Sequence, residues 1–99
     1  MHRYLLTQKA ITDLTEIWNY TINTWSENQA DKYYEEILNF CQQLADNPEF
    51  GRSYSQLIPD LRGAKINRHI IFYRQITQDT IEVARVLHEQ MDLKSRLEK

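Results

Sequence analysis

The chain has 99 residues, 41% of them hydrophobic and 11% aromatic, and a formal net charge of −2. That supplies one compact core and not two, so residues 1–99 read as a single domain, too acidic overall to bind nucleic acid with its whole surface. A lone cysteine excludes an internal disulfide, and the lack of a long apolar run or leader-like segment argues against a membrane span or export, which places the expected protein in the cytoplasm.

In chain order, RYLLT (Arg3–Thr7) has the character of a short strand, and Thr7 is placed to cap a helix. From Gln8 to about Trp25, the residues Ile11, Leu14, Ile17, Trp18, Thr21, Ile22 and Trp25 recur at three- and four-residue steps. This predicts one buried stripe, with Asp13, Glu16, Asn19 and Asn23 facing water. Ser26 restarts the pattern as an N-cap, with Gln29 at capping-box distance. The second helix then runs to about Asp46, burying Ala30, Tyr33, Tyr34, Ile37, Phe40, Cys41 and Leu44 before Asn47-Pro48 stops it. With almost no linker between them, the two helices should form an antiparallel hairpin, and their aromatic residues read as core packing.

Pro48–Asp60 holds both prolines and one of the two glycines and reads as a surface loop. Leu61–Ile66 follows as a strand, with Gly63 marking a bulge or a close backbone approach. His69–Ile76 alternates, with Ile70, Phe72, Arg74 and Ile76 opposed to His69, Ile71, Tyr73 and Gln75. Both sets contain apolar residues, which predicts a central strand. After the polar break Thr77-Gln78-Asp79, Thr80–Leu87 repeats the pattern, with Ile81, Val83, Arg85 and Leu87 opposed to Glu82, Ala84, Val86 and His88. The tail Glu89–Lys99 is too short and irregular for a free helix, although Asp92 can cap one turn. Its apolar residues Met91, Leu93 and Leu97 either fold back over Ile71 and Tyr73 or stay loosely held as part of a binding surface. The fold class expected is α+β: an N-terminal strand and an antiparallel helical hairpin packed on a three- to four-stranded, mainly antiparallel sheet.

Charge divides along the chain. Residues 11–50 carry eight acids against Lys32, whereas residues 51–99 carry nine bases against six acids, so the helical half is acidic and the sheet half basic. Histidine and cysteine do not occur at metal-ligand spacing, no metal or other cofactor is expected, and no glycine-rich phosphate loop or serine-histidine-acid signature is present. What remains is a set on the sheet side, Arg62, Lys65, Arg68, His69, Tyr73, Arg74, Arg85 and His88. Cations for phosphates, an imidazole and a phenol are the residue types an RNA-cleaving site would use, and equally those of stem-packed surface residues on a sheet.

Four segments, DLTEIWNYT, LADNPEFGR, LRGAKINRHIIFYR and IEVARVLHEQMD, occur in the order helix, loop, strand, strand and span nearly the whole chain. Together they resemble the ParE branch of the RelE/ParE toxin superfamily. The resemblance implies the toxin of a type II toxin-antitoxin system, one that arrests growth and stabilises plasmids. It also implies neutralisation by a ParD-like antitoxin in a hetero-oligomeric complex, DNA contact only through that antitoxin, and DNA gyrase as the target. On that reading the protein is not an enzyme. The residues expected to reach the target are Arg85, His88, Met91, Leu93, Lys94 and Arg96, and those expected to attract an acidic antitoxin tail are Arg62, Lys65, Arg68 and Arg74. The alternative within the superfamily is a ribosome-dependent messenger RNA endoribonuclease, for which Arg68, Arg74, Arg85, His88 and Tyr73 would be the catalytic candidates. Ile70 stands where RNA-cleaving relatives commonly carry an arginine, and Glu89 follows His88 where some carry a tyrosine, so both departures weigh toward gyrase.

Overall fold

The computed structural model describes residues 2–97. Its elements are β1 (Arg3–Leu6), α1 (Gln8–Thr24), α2 (Glu27–Asp46), β2 (Arg52–Ser53), β3 (Arg62–Ile66), β4 (His69–Thr77), β5 (Thr80–His88) and α3 (Leu93–Leu97). The strands form one sheet in the order β1-β5-β4-β3-β2, with β1 parallel to β5 and every other pairing antiparallel. The fold class is the α+β architecture expected, with one more strand than the three or four anticipated, because Arg52–Ser53 in the predicted surface loop pairs with Gly63 and Arg62.

The caps sit where the sequence places them. The Ala10 amide donates to Thr7 Oγ1 at 3.1 Å and the Gln29 amide to Ser26 Oγ at 3.1 Å, which fixes the start of each helix within one residue of the capping side chain. The helical hairpin covers one face of the sheet. Ala10, Leu14, Ile37, Cys41 and Leu44 of the helices pack there against Ala64, Ile71, Tyr73, Ile81, Val83 and Val86. Each fully buried aliphatic side chain in such a layer contributes about 1.5–3 kcal/mol of transfer free energy. Burial also pushes the Cys41 thiol up to about 12, so it stays protonated as a core residue.

The other face carries Ile70, Phe72 and Leu87, covered by Leu61, the ring of Tyr54, Leu57, Ile58, Leu93 and Leu97. Thus β4 is buried on both sides from Ile70 to Tyr73, as its two apolar faces require. Gly63 marks a close approach rather than a bulge. A Cβ there would lie 2.6 Å from the Tyr54 ring, which itself packs edge-on against Phe72. Two register shifts fall in the β4–β5 ladder instead: Phe72 pairs with Arg85 and Tyr73 with Val83, leaving Ala84 as an extra residue in β5, and Gln75 pairs with Ile81 and Thr77 with Thr80, leaving Ile76 extra in β4. The simple alternation expected for β5 is therefore broken in the middle. Ile81 and Val83 share the helix-covered face with Val86, and Leu87 lies on the opposite one.

Two other expectations for α1 are corrected by its position. The buried stripe is narrower than the spacing implied, because Trp25 is 74% and Ile11 43% exposed. Asp13, assigned to water, is buried. β1 ends at Leu6, so beyond Val83 the outer edge of β5 has no strand partner, and α1 runs alongside it. Thr7 Oγ1 donates to the Ala84 carbonyl at 2.8 Å and Asp13 Oδ2 accepts from the Val86 amide at 3.0 Å, so side chains of the helix satisfy a strand edge that would otherwise be open for pairing.

Candidate functional site

The Val86 edge is also where Arg85 is held. Its Nε and Nη2 donate to the two oxygens of Asp13 at 2.8 and 3.0 Å, and Nη1 donates to the Arg96 carbonyl at the end of α3 at 3.0 Å. The Asp13 carboxylate holds the Arg85 guanidinium above its already high range. Three of the five guanidinium donors are committed, and one side chain ties α1, β5 and α3 together. The sequence offered a signal for Asp13: at three residues from Ala10 and four from Ile17 it lies inside the buried stripe, facing the sheet.

At the end of β5, His88 pairs across from His69 with the rings edge-on and 5.4 Å apart. Tyr33 Oη lies 2.8 Å from His69 Nδ1 and donates to the Ile66 carbonyl at 3.2 Å. A phenol has one proton, so the pattern assigns Nδ1–H to His69 and leaves its Nε2 as an acceptor. His88 Nδ1 accepts from the Gln90 amide at 3.1 Å, which puts the proton of the neutral ring on Nε2. Burial and the neighbouring His88 lower the pKa of His69, and Glu89 opposes them. Glu89 is itself lowered by Lys65, 3.0 Å away. Beside this pair lies a groove of about 480 Å³ lined by Ile17 and Tyr20 of α1, His69, His88, Met91 and Arg96.

The remaining residues singled out from the sequence are dispersed. Tyr73 is fully buried on the helix side, its hydroxyl accepting from the Gly51 amide at 2.8 Å and donating to the Pro48 carbonyl at 2.9 Å. It staples the loop after α2 to the sheet and leaves the list of residues that could meet a substrate. A Cβ on Gly51 would lie 2.5 Å from this hydroxyl, which is why the loop carries glycine there. Arg74 pairs with Glu82 on the tail-covered face, well along β4 from His88. Arg62 donates to the Gly51 carbonyl at 2.8 Å, Lys65 is engaged by Glu89, and Arg68 is exposed in the β3–β4 turn, where Asn67 takes a left-handed φ of 52°. The four cations therefore do not form one patch: Lys65 and Arg68 flank the histidines, whereas Arg62 and Arg74 lie toward the opposite end of the strands.

The tail is docked. Asp92 caps α3 through the Ser95 amide at 3.3 Å, Leu97 is 8% exposed against Phe72 and Leu87, and Leu93 packs beside it. It covers the face of Ile70 and Phe72, not that of Ile71 and Tyr73 as the first of the two readings has it, because the helical hairpin already covers Ile71 and Tyr73. Met91, Lys94 and Arg96 stay exposed, and residues 98 and 99 of the tail lie outside the described residues.

Residues 4–93 match the family described as the ParE toxin of type II toxin-antitoxin system, parDE. The chain belongs to the ParE toxin family. It is 38% identical to Toxin ParE1 of Mycobacterium tuberculosis over 95 residues, covering 96% of this chain and 97% of that one. It is 31% identical to Toxin ParE1 of Caulobacter vibrioides, covering 98% and 99%, and 33% identical to Toxin ParE of Escherichia coli, covering 98% and 94%. The fold superposes on a chain of the chromosomal ParDE system of P. aeruginosa with a TM-score of 0.74, at 19% identity and with 89% and 96% coverage. A chain of the RelBE2 toxin-antitoxin complex of M. tuberculosis follows at 0.67, at 17% identity and with 88% and 96% coverage. The ParE match spans Asp13 and Arg85, the histidine pair and the first residue of α3. Among the described residues, no group of three or more His, Cys, Asp or Glu could hold a metal, and no helix is long and apolar enough to cross a membrane.

Proposed function

We propose that this ParE-family toxin arrests growth in the cytoplasm by binding DNA gyrase, without catalysing a reaction of its own, and that a ParD-like antitoxin neutralises it in a hetero-oligomer. The observation that carries the gyrase reading over messenger RNA cleavage is the commitment of Arg85. With its guanidinium paired to Asp13 and to the Arg96 carbonyl, it is a structural tie rather than a free phosphate ligand. Tyr73 is likewise consumed, and Glu89 brings a carboxylate beside His88 where a phosphate would have to sit.

The surface left for a target is the groove rim with His88, Met91 and Arg96, together with the exposed Lys94 of α3. In this reading Arg85 and Leu93 act indirectly, by docking the tail so that those residues are displayed. The antitoxin's acidic segment would be drawn to Lys65 and Arg68, with Arg62 and Arg74 as separate outlying contacts, and DNA binding by the complex would be the antitoxin's work. Purified protein assayed for inhibition of gyrase supercoiling, and in parallel for codon-dependent cleavage in a translating extract, tests the reading. Supercoiling unaffected at stoichiometric excess together with discrete message cleavage would reverse it in favour of the endoribonuclease.

A further inference from the structure

The outer face of the helical hairpin, away from the sheet and from the groove, has no role in the function proposed above. Ile11, Trp18 and Trp25 follow one another at seven-residue steps, which return to nearly the same side of a helix. Ile11 is 43% and Trp25 74% exposed, and Tyr34 on α2 is 36% exposed, so the ridge between the helices presents aromatic surface to solvent. Between them lies a second groove of about 480 Å³ lined by Thr15, Trp18, Asp31, Tyr34 and Glu35. The indole Nε1 of Trp18 donates to Asp31 Oδ1 at 3.0 Å, fixing ring and carboxylate together. Among the described residues, neither Asp31 nor Glu35 has a cationic partner within 4.0 Å.

Exposed aromatic patches rimmed by polar groups mark interaction sites, and charge decides what fits this one. Two rings beside two unpaired carboxylates favour an organic cation, which gains from ring faces and carboxylates at once. The half of the chain that bears the groove carries eight acids against one base, so an acidic segment is repelled from this face and a basic one attracted. We propose that the outer face of the hairpin docks a basic amphipathic segment of a partner protein, its apolar residues lying along Trp25 and Ile11 and one arginine or lysine side chain entering the Trp18–Tyr34–Asp31–Glu35 groove. This surface is separate from the basic strand end expected to draw the antitoxin and from the tail rim expected to meet the target, so both could be occupied together.

The two tryptophans provide the readout. Titration of the labelled full chain with a capped helical peptide carrying leucines and arginines on adjoining stripes should shift both indole N–H resonances saturably, that of Trp18 through its bond to Asp31. Asp31→Asn, which preserves an acceptor for the indole, and Glu35→Gln should each weaken binding about tenfold and together nearly abolish it. Glu27→Gln, outside the groove, should change it less than about twofold. A peptide with glutamates in place of the arginines should leave both resonances unmoved. Equal weakening by all three substitutions would reduce the effect to net charge and overturn the proposal, as would shifts that never saturate, or saturable binding of the glutamate peptide.

Discussion

The two faces of the sheet are held by different means. On the helix side, twelve buried residues from α1, α2 and three strands interlock in one cluster. On the tail side, Ile70, Phe72 and Leu87 are roofed by the loop after β2 and by a five-residue helix whose place depends on Leu93, Leu97 and the grip of Arg85 on its last turn. A thick face gives the fold its stability; a thin one, attached at its edge, gives a surface that can respond to a partner without unfolding the protein. The largest effect should therefore come from the thick face. Leu44→Ala should destabilise the whole chain by about 3–4 kcal/mol, whereas Leu97→Ala should cost about 1–2 kcal/mol, because a cavity beside a short terminal helix collapses more easily. Denaturant unfolding gives the two totals, and hydrogen exchange should show protection lost throughout in the first variant but only around α3 and Leu87 in the second. Equal, global losses would abolish the distinction between the faces.

Asp13 joins the faces, so its removal should be nearly as costly as a core cavity. Asp13→Ala strands both the Arg85 guanidinium and the Val86 amide, and about 3 kcal/mol is expected. Arg85→Met in the same background should return part of that loss, since the unpaired charge is then gone; a strictly additive double mutant would show that the tie has no coupling energy. In gyrase assays, Arg85→Met with Asp13 intact should weaken inhibition less than Met91→Ala if Arg85 only positions the tail.

Much of this architecture is written in local signals. Thr7 and Ser26 announce the helix starts, Asn47-Pro48 the stop, and the alternation of His69–Ile76 a strand buried on both faces, because caps and period depend on neighbours in sequence. What escaped depends on contacts between distant residues. Ala84 becomes a bulge only through the register of β5 against β4, and that single residue sends Leu87 to the opposite face from Val83. Asp13 looked like a solvated acid because its partner lies seventy-two positions away. Trp25 looked like core because spacing along a helix cannot tell a face covered by a sheet from its exposed shoulder. The site fared likewise: His88 and Met91 do line one groove, but a list of residue types could not separate the exposed Arg68 from the engaged Arg62, Arg74 and Arg85.

A smaller effect belongs to the staple between the helix-side loop and the sheet. Tyr73→Phe removes the acceptor of the Gly51 amide and the donor to the Pro48 carbonyl while leaving the ring in place, so about 1–2 kcal/mol should be lost without a change in fold. Gyrase inhibition should survive it at a temperature where the variant is folded. Loss of inhibition by well-folded Tyr73→Phe would return the phenol to the functional site.

The smallest effect separates the faces by pH. Burial and the adjacent His88 lower the pKa of His69 from its ordinary 6.5, so the folded protein binds a proton there less readily than the unfolded chain does. Stability from this group must then fall as the pH drops below that ordinary value, because the unfolded chain takes up a proton the folded one resists. The decline ends once the folded ring is also protonated. Glu89 contributes in a lower window: held down by Lys65, it favours the folded state above the ordinary carboxylate value of 4.5 and loses that effect below it. Melting temperatures between about pH 7 and pH 5 should thus fall for the native chain and fall less steeply for His69→Gln, whose side chain retains a donor for Tyr33 and cannot charge. Leu97→Ala, on the thin face, should keep the native slope at a lower overall temperature. A His69→Gln curve parallel to the native one would show that the acid sensitivity arises elsewhere, and a steeper one would reverse the sign argued here.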